Sequence, residues 1–509
     1  MMRNLCVKSL AVRRYFLLIT LVHFVASCDG ATGPSGNKPS VTVVAGAGVT
    51  DTIEAQLAQA LVVEVRGAGG RLVSGALVRF ESRPPSDPAQ QFESAVYVCQ
   101  LSAQTCFSSF LADTTDRTGR VKAVIRLGTV AGKAVVRLTV PEFGVQDSAT
   151  FTVTPGAPAR IVLSPRDTTL DIGGTVTIQT HTADRHANAR SEVATLSAGA
   201  GDAVTVSPAS NTVTARDMGT QSVYAQFGAV KDSAIVRVLP AGRLVVWSPS
   251  LQVVRLVNIN GKDERTLLTN VASEFGVFPR FDPTRQRVTL HMGSSPFGPH
   301  SNAIVLDTTG AARRDVMGFT VILAVRQTDD GNLMVVGARS IAVDAYHLYR
   351  VTADNTITML ATLTGFFGAD AGVDIAFDGN RVAYIAGGSL NVLDVSTGVT
   401  TTLDHSVRAP RWSVQGDRLV YLVPSNCFFD PEGGVATVIN PDGSGRRILA
   451  DSCFSPGLSW SPDGKYVIGR SIPDFAPYLR IVRVSDGADV LARFVSGNTV
   501  MDYFQPDWR

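Results

Sequence analysis

From residue 243 to the C-terminus, short apolar runs alternate with tight polar turns. In residues 458–485 an aromatic opens a short strand at Trp460, and Ser461-Pro462-Asp463-Gly464 turns the chain. Residues 465–469 return as a second, β-branched strand, residues 479–484 form a third, and Ser485-Asp486-Gly487 turns again. Pro462 presets φ, and Gly464 accepts the positive φ that such a hairpin requires. The same order recurs at intervals of about 40 to 46 residues. Residues 410–417 lead into 418–421 and 436–439, residues 374–379 into 381–385 and 390–395, residues 328–331 into 332–336 and 347–351, and residues 279–283 into 287–290 and 303–306. Five repeats are therefore complete. A sixth is split: its second and third strands stand at residues 243–247 and 253–259, and its inner strand, 504–509, ends the sequence. The tail is expected to pair with residues 244–247 and close the array, removing the free sheet edges that invite aggregation.

Repeats of this length mark propeller blades rather than solenoid turns. The stretches Trp460-Ser461-Pro462-Asp463-Gly464 and Pro410-Arg411-Trp412-Ser413, with their echoes, resemble the TolB-type, WD-repeat-like propeller family. The resemblance implies a fold, here of six blades. It does not imply an activity, because propellers serve as adaptors, receptors, lyases and peptidase lids.

Upstream, strands alternate with turns at sandwich-like spacing. Residues 61–65 precede Gly69-Gly70 and the run Val73-Ser74-Gly75-Ala76-Leu77-Val78-Arg79-Phe80, and Thr115-Asp116-Arg117-Thr118-Gly119 follows. This order resembles the group 1 bacterial Ig-like domains of adhesins such as intimin and invasin, with a longer loop at residues 84–106. A second module spans residues 158–240. Its stretches Arg160-Ile161-Val162-Leu163-Ser164-Pro165, Ile172-Gly173-Gly174-Thr175-Val176 and Val213-Thr214-Ala215-Arg216-Asp217-Met218-Gly219 resemble group 2 bacterial Ig-like domains. The tryptophan common in that family's middle strand is absent, and Leu196 is expected in its place.

At the N-terminus, Arg3, Lys8, Arg13 and Arg14 precede an apolar run at residues 15–26, too short to span a bilayer comfortably and suited to a secretory signal. It ends Val25-Ala26-Ser27-Cys28, which resembles the lipobox of bacterial lipoproteins and implies lipidation at Cys28; cleavage without lipidation is the rival reading. Removing residues 1–27 takes four of the 46 basic residues and none of the 44 acidic ones, so 42 face 44 in the mature chain. That balance offers no basic surplus for nucleic acid. Membrane attachment is expected through the lipid alone. Cys99 with Cys106, and Cys427 with Cys453, each fall within one domain, as disulfides in an oxidising envelope would. No Cys-x-x-Cys or nearby histidine spacing favours a metal instead.

Catalytic motifs are missing: there is no Gly-x-Ser-x-Gly, His-Glu-x-x-His, phosphate loop or EF-hand spacing. His181, His186, His291, His300, His347 and His405 are scattered without ligand spacing. The Asp-Gly pairs at Asp378, Asp442, Asp463 and Asp486 fall where turns need them, which favours turn chemistry over calcium. One pattern carries chemistry. Aligning the repeats puts Arg280, Arg326 and Arg411 immediately before the inner-strand anchor, with Asp507, Ser459 and Ala376 at the other three positions. Pleating turns these residues opposite to the anchor, toward a central funnel. There, three guanidinium groups would hold a carboxylate or phosphate; otherwise each pairs with an acid of the next blade. Residues 294–300 and the loop 427–434 offer rival binding surfaces.

These features predict an all-β protein: a lipoprotein signal at 1–27, a flexible tether at 28–40, Ig-like domains at 41–156 and 157–240, and a six-bladed TolB-like propeller at 241–509 closed by the C-terminal strand. The expected role is non-catalytic binding, without cofactor or metal, by a lipid-anchored envelope protein recognising an envelope protein or extracellular glycan. The alternatives are a propeller lyase or hydrolase acting on polysaccharide, and an adhesin binding through its Ig-like modules.

Overall fold

The computed structural model describes residues 38–83, 95–248, 251–271, 277–282, 286–292, 303–311, 313–328, 330–340, 345–365, 372–427, 433–471, 478–492 and 504–508. The expected signal, Cys28, most of the tether, and residues 294–300 and 428–432 lie outside the described residues. Every regular element among those described is a β-strand. Contacts divide the chain after Gly156 into two compact units.

The first unit is a two-layer sandwich. One sheet runs Ser40–Ala45, Leu61–Arg66, Arg120–Leu127, Val96–Cys99, and the other Thr50–Thr52, Val145–Thr154, Gly132–Val140, Leu77–Ser82, Phe110–Thr114. Its strands alternate in burial, as in Arg120–Leu127 and Gly132–Val140, because each sheet has one face on the core and one in water. Val63, Phe80, Ile125, Leu138 and Phe151 fill the centre. The Thr115–Gly119 corner is locked from within. The buried Thr115 hydroxyl donates to the Val73 carbonyl at 2.6 Å and accepts the Ala76 amide at 3.0 Å. Gly119 has φ +67°, and a Cβ there would stand 2.9 Å from Leu72. A disulfide joins Cys99 to Cys106.

The second unit, Ala157–Arg509, opens with another sandwich. A four-stranded sheet ordered Asp167–Asp171, Val230–Leu239, Gly219–Phe227, Thr195–Ala198 packs with the smaller sheets of Arg160–Ser164 with Gln179–Ala183, and Thr175–Thr177, Thr212–Ala215, Val204–Ser207. Leu196 is buried in this core.

Among the described residues, six four-stranded antiparallel sheets follow. Sheet 1 combines the C-terminal strand Phe504–Trp508 with Arg243–Ser248, Val253–Asn258 and Arg265–Leu268. Sheets 2 to 6 begin with inner strands Val277–Phe281, Val321–Gln327, Val373–Ile375, Arg408–Trp412 and Ser459–Trp460. Burial here does not alternate; all six residues of Leu333–Ala338 are buried. Each sheet is covered on both faces by its neighbours, so its strands read as continuous apolar runs. One apolar cluster fills each seam, from sheets 1 and 2 through sheets 5 and 6, and a last one joins sheet 6 back to sheet 1. The array is thus a closed β-propeller.

Arginines also stack across seams: Arg381 on Trp412 of the next sheet at 4.7 Å and Arg418 on Trp460 at 5.1 Å. Cys427 is disulfide-bonded to Cys453. At the closing seam Leu244 pairs with Trp508 and Val245 with Asp507. Trp508 is fully buried beside Tyr466, and a Cβ at Gly242 would overlap its indole. The second sandwich docks on this seam. Its Met218 and Leu239 join the Trp508 cluster, Asp217 accepts two 2.7 Å bonds from Arg483, and Asp171 accepts one from Asn260 at 3.0 Å.

If Trp508 locks the ring, Trp508→Ala lowers unfolding free energy by about 3–5 kcal/mol, the usual cost of emptying a buried aromatic site. Urea denaturation checks this, and an unchanged midpoint would show that the seam is held without it.

Candidate functional site

The pleat brings one side chain from each inner strand into the middle of the propeller. In strand register, Arg280 lies opposite Thr289, Arg326 opposite Met334, Asp374 opposite Ala383, Arg411 opposite Val420, Ser459 opposite Ile468 and Asp507 opposite Val245. In five of the strands the next residue, Phe281, Ile375, Trp412, Trp460 or Trp508, enters a seam, and after Arg326 it is the buried Gln327. Arg280, Arg326, Arg411 and Asp507 therefore gather in one cluster.

Ala376 does not join them. It is buried in the seam between sheets 4 and 5, and Asp374 holds its expected place. Taking Phe377 as the anchor misplaces this repeat by two residues. The turn glycine was the better guide: Gly379 follows Ile375 by four residues, as Gly416 follows Trp412 and Gly464 follows Trp460. Sequence reasoning missed Asp374 for that reason.

The acids bind the next sheet round the ring. Asp507 Oδ2 accepts the Phe281 amide at 2.7 Å, and Asp374 Oδ2 accepts the Trp412 amide at 2.9 Å. Ser459 Oγ accepts the Trp508 amide at 3.1 Å and donates to Asp507 Oδ1 at 3.0 Å. Arg326 Nη2 donates to Asp374 Oδ1 at 3.0 Å while its guanidinium lies 4.0 Å over Phe377. For Arg326, then, pairing with an acid of the next sheet holds. Arg280 Nη1 instead donates to the Pro279 carbonyl at 2.8 Å, and Arg411 makes only long contacts, 3.4 and 3.5 Å, to the Pro410 and Val373 carbonyls. Neither is at ion-pair distance from a described acid.

The cluster holds three guanidinium groups and two carboxylates, a surplus of one positive charge. Arg326 is 3% exposed and Asp374 4%, so water screens these charges little. Burial alone would raise the Asp374 carboxyl, but Arg326, Arg411 and Arg280, with the Trp412 amide, hold it below the usual carboxylate range. Burial, followed by the repulsion of Arg280, pushes the Arg411 guanidinium down to about 9, against the pull of Asp374. It stays cationic at neutral pH. Burial also lowers Arg280, opposed by Asp507 and Asp374.

A cavity opens against this cluster. Its polar wall is Arg326, Asp374, Arg411, Ser459 and Asp507, and its apolar wall includes Phe377, Trp412 and Trp460. Arg280 is not on that wall. The space admits about one water-sized group. Among the described residues, Arg326 Nε and Nη1 and Arg411 Nε meet no acceptor. Chemically, the arrangement can receive a small anion.

The other candidates do not converge. His347 Nδ1 lies 3.0 Å from the Thr362 hydroxyl within sheet 3, and His405 Nδ1 2.9 Å from that of Ser389 within sheet 4. His300 and the His291 side chain lie outside the described residues. Among the described residues no three His, Cys, Asp or Glu side chains come together as metal ligands. The Asp-Gly aspartates bind their own turns: Asp378 accepts the Asn380 amide, Asp442 that of Ser444, Asp463 that of Lys465 and Asp486 that of Ala488.

No protein-family model matches the sequence, and no curated protein matches it. Among solved structures, the chain is similar to TolB from Acinetobacter baumannii, at 12% identity over 62% of this chain and 82% of that one, with a TM-score of 0.39. It is similar to an auxiliary nutrient binding protein from Bacteroides thetaiotaomicron at 13% identity, covering 70% and 91%, with a TM-score of 0.34. An oligogalacturonate lyase in complex with manganese is similar at 11% identity, covering 60% and 83%, with a TM-score of 0.32. The propeller is defined by its own sheet order and seams, not by these likenesses.

Asp374→Asn leaves Arg326 buried without its counter-ion, and the expected loss is about 3–5 kcal/mol. The paired replacement Arg326→Met with Asp374→Asn restores most of it, because the introduced side-chain carbonyl still accepts the Trp412 amide. Because the folded pKa of Asp374 is lowered, its contribution is complete above the unfolded carboxylate value and is lost as pH falls through the folded one. Urea unfolding of wild type and Asp374→Asn should therefore converge toward low pH; a constant difference would contradict the assignment.

Proposed function

We propose that this chain is a non-catalytic binding protein of the bacterial envelope. In this reading the six sheets are six propeller blades, the two sandwiches are Ig-like stalk domains, and Cys28 carries the lipid anchor. The observation that supports it is the surplus cation in the channel. Both acids of the cluster are committed to amides and to Ser459 or Arg326, while Arg326 Nε and Nη1 and Arg411 Nε meet no acceptor among the described residues. An arginine that stays protonated recognises charge but does not shuttle protons near neutral pH, which favours binding over turnover. Charge-assisted hydrogen bonds are worth about 1.5–3 kcal/mol each, so two of them give roughly millimolar to tens-of-micromolar affinity. The channel therefore anchors one acidic group, and the surrounding loops supply the rest of the surface.

The test is capture from envelope extract and on a glycan panel, using residues 28–509 with Cys28→Ser and, in parallel, the same chain carrying Arg326→Gln and Arg411→Gln. A ligand held by the first and lost by the second, both folded, is the expected result. A ligand held equally by both would move recognition away from the channel. In cells, Cys28→Ser should shift the protein from the membrane to the soluble fraction; continued membrane association would contradict the lipid anchor.

A further inference from the structure

Resting on the lipid anchor read at Cys28, we propose that the end of the first sandwich where the chain enters lies against the anionic headgroups of the same bilayer. Topology gathers the residues. Ser40 pairs with Arg66 where the chain enters. The hairpin after Arg66 is closed by the Gly67 amide, which donates to the Arg71 carbonyl at 2.9 Å, and Arg66 bridges back to Leu72. The Thr115–Gly119 corner packs beside it: the Val65 amide donates to the Gly119 carbonyl at 3.0 Å, and Leu72 lies against Gly119. Pairing of Arg79 with Thr139, and of Val140 with Val145, carries the turn at residues 141–144 to this end too. The chain leaves from the other end, where Thr154 pairs with Thr52.

Charge is the first reason. This end carries Lys38, Arg66, Arg71, Arg117, Arg120 and Lys122 against Glu64, Asp116 and Glu142, although acids outnumber bases 44 to 42 after residue 27. All six cations are exposed. Two of the acids serve the fold. Glu64 is buried between Arg66 and Arg120, at 2.7 and 3.0 Å, and Asp116 accepts the Thr118 and Arg120 amides of its own corner, at 2.7 and 3.2 Å. Apolar exposure is the second reason. Leu72 is 46% and Leu77 37% exposed among these cations. Leucines between arginines suit an anionic bilayer, whose headgroup boundary takes apolar side chains while its phosphates meet the cations. A soluble polyanion would use the cations and leave the leucines in water. Reach is the third. Fully extended, the chain from Cys28 to Ser40 covers about 40 Å, so the anchor keeps this end near the membrane. A lipid and a basic patch then act as two attachment signals.

The experiment is co-sedimentation of residues 28–509, carrying Cys28→Ser, with vesicles of phosphatidylcholine alone or mixed equally with phosphatidylglycerol. Without a lipid, this chain reports on the protein surface only. The surface contact yields to salt and an acyl chain does not, so fractionation of Cys28→Ser cells after a salt wash still reports on the anchor. Binding to the mixed vesicles is expected to be about tenfold stronger or more, and to weaken as salt rises. Arg71→Glu with Arg117→Glu should reduce it about tenfold or more. Lys133→Glu with Lys231→Glu, the same change in net charge placed elsewhere, should leave it unchanged. Equal binding to both vesicles, or to neither, would overturn the proposal while the lipid anchor stood, and that comparison needs no further variant. An equal loss in the two double variants would overturn it as well, by reducing the effect to net charge. So would displacement from the vesicles by soluble polygalacturonate at low salt, because the face would then read polyanions rather than a bilayer.

Discussion

A sheet that is apolar on both faces cannot sit at the end of a row. In this propeller every sheet is of that kind, so each needs two neighbours, and the first and last need one another. The strand Phe504–Trp508 meets the requirement by pairing with Arg243–Ser248 and placing Trp508 in the last seam. Closure also creates a polar problem. The Phe281, Trp412 and Trp508 amides stand in the dry middle, where an unpaired donor is costly. Asp507, Asp374 and Ser459 answer it, each reaching forward to the next sheet.

That structural duty shapes the electrostatics. Because the carboxylates are committed to amides and to one arginine, they do not balance all three guanidinium groups. A buried unpaired charge is unfavourable unless water or a counter-ion reaches it, and the cavity at Arg326 and Arg411 provides the access. The charge balance of the cluster and the integrity of the ring thus depend on the same few side chains. Docking on the closing seam ties the second sandwich to this arrangement through Met218 and the Asp217–Arg483 pair.

Much of the fold was legible because propeller strands carry their signal twice, in the apolar run and in the turn after it. Trp460-Ser461-Pro462-Asp463-Gly464 gives strand, turn and register together, and the orphaned inner strand at the tail had one partner missing from the repeats. Arg280, Arg326, Arg411 and Asp507 were readable by position alone, since register on a pleat decides which side chains share a face. Asp374 was not, because Phe377 mimics the anchor aromatic while Ile375, an aliphatic, actually fills the seam. Which arginine would be paired was also hidden: Arg326 finds Asp374 and Arg411 does not, a difference set by side-chain reach across a seam rather than by spacing. The docking of the second sandwich through Asp217 and Arg483 joins residues distant in sequence and left no local pattern to read.

Three guanidinium groups against two carboxylates leave the middle of the propeller one positive charge that these side chains do not neutralise. Crystals soaked in bromide test it most directly, because a monoatomic anion fits the space and scatters anomalously. An anomalous peak is expected within hydrogen-bond reach of the Arg326 and Arg411 guanidinium groups. Bromide found on the surface with the channel empty would contradict it.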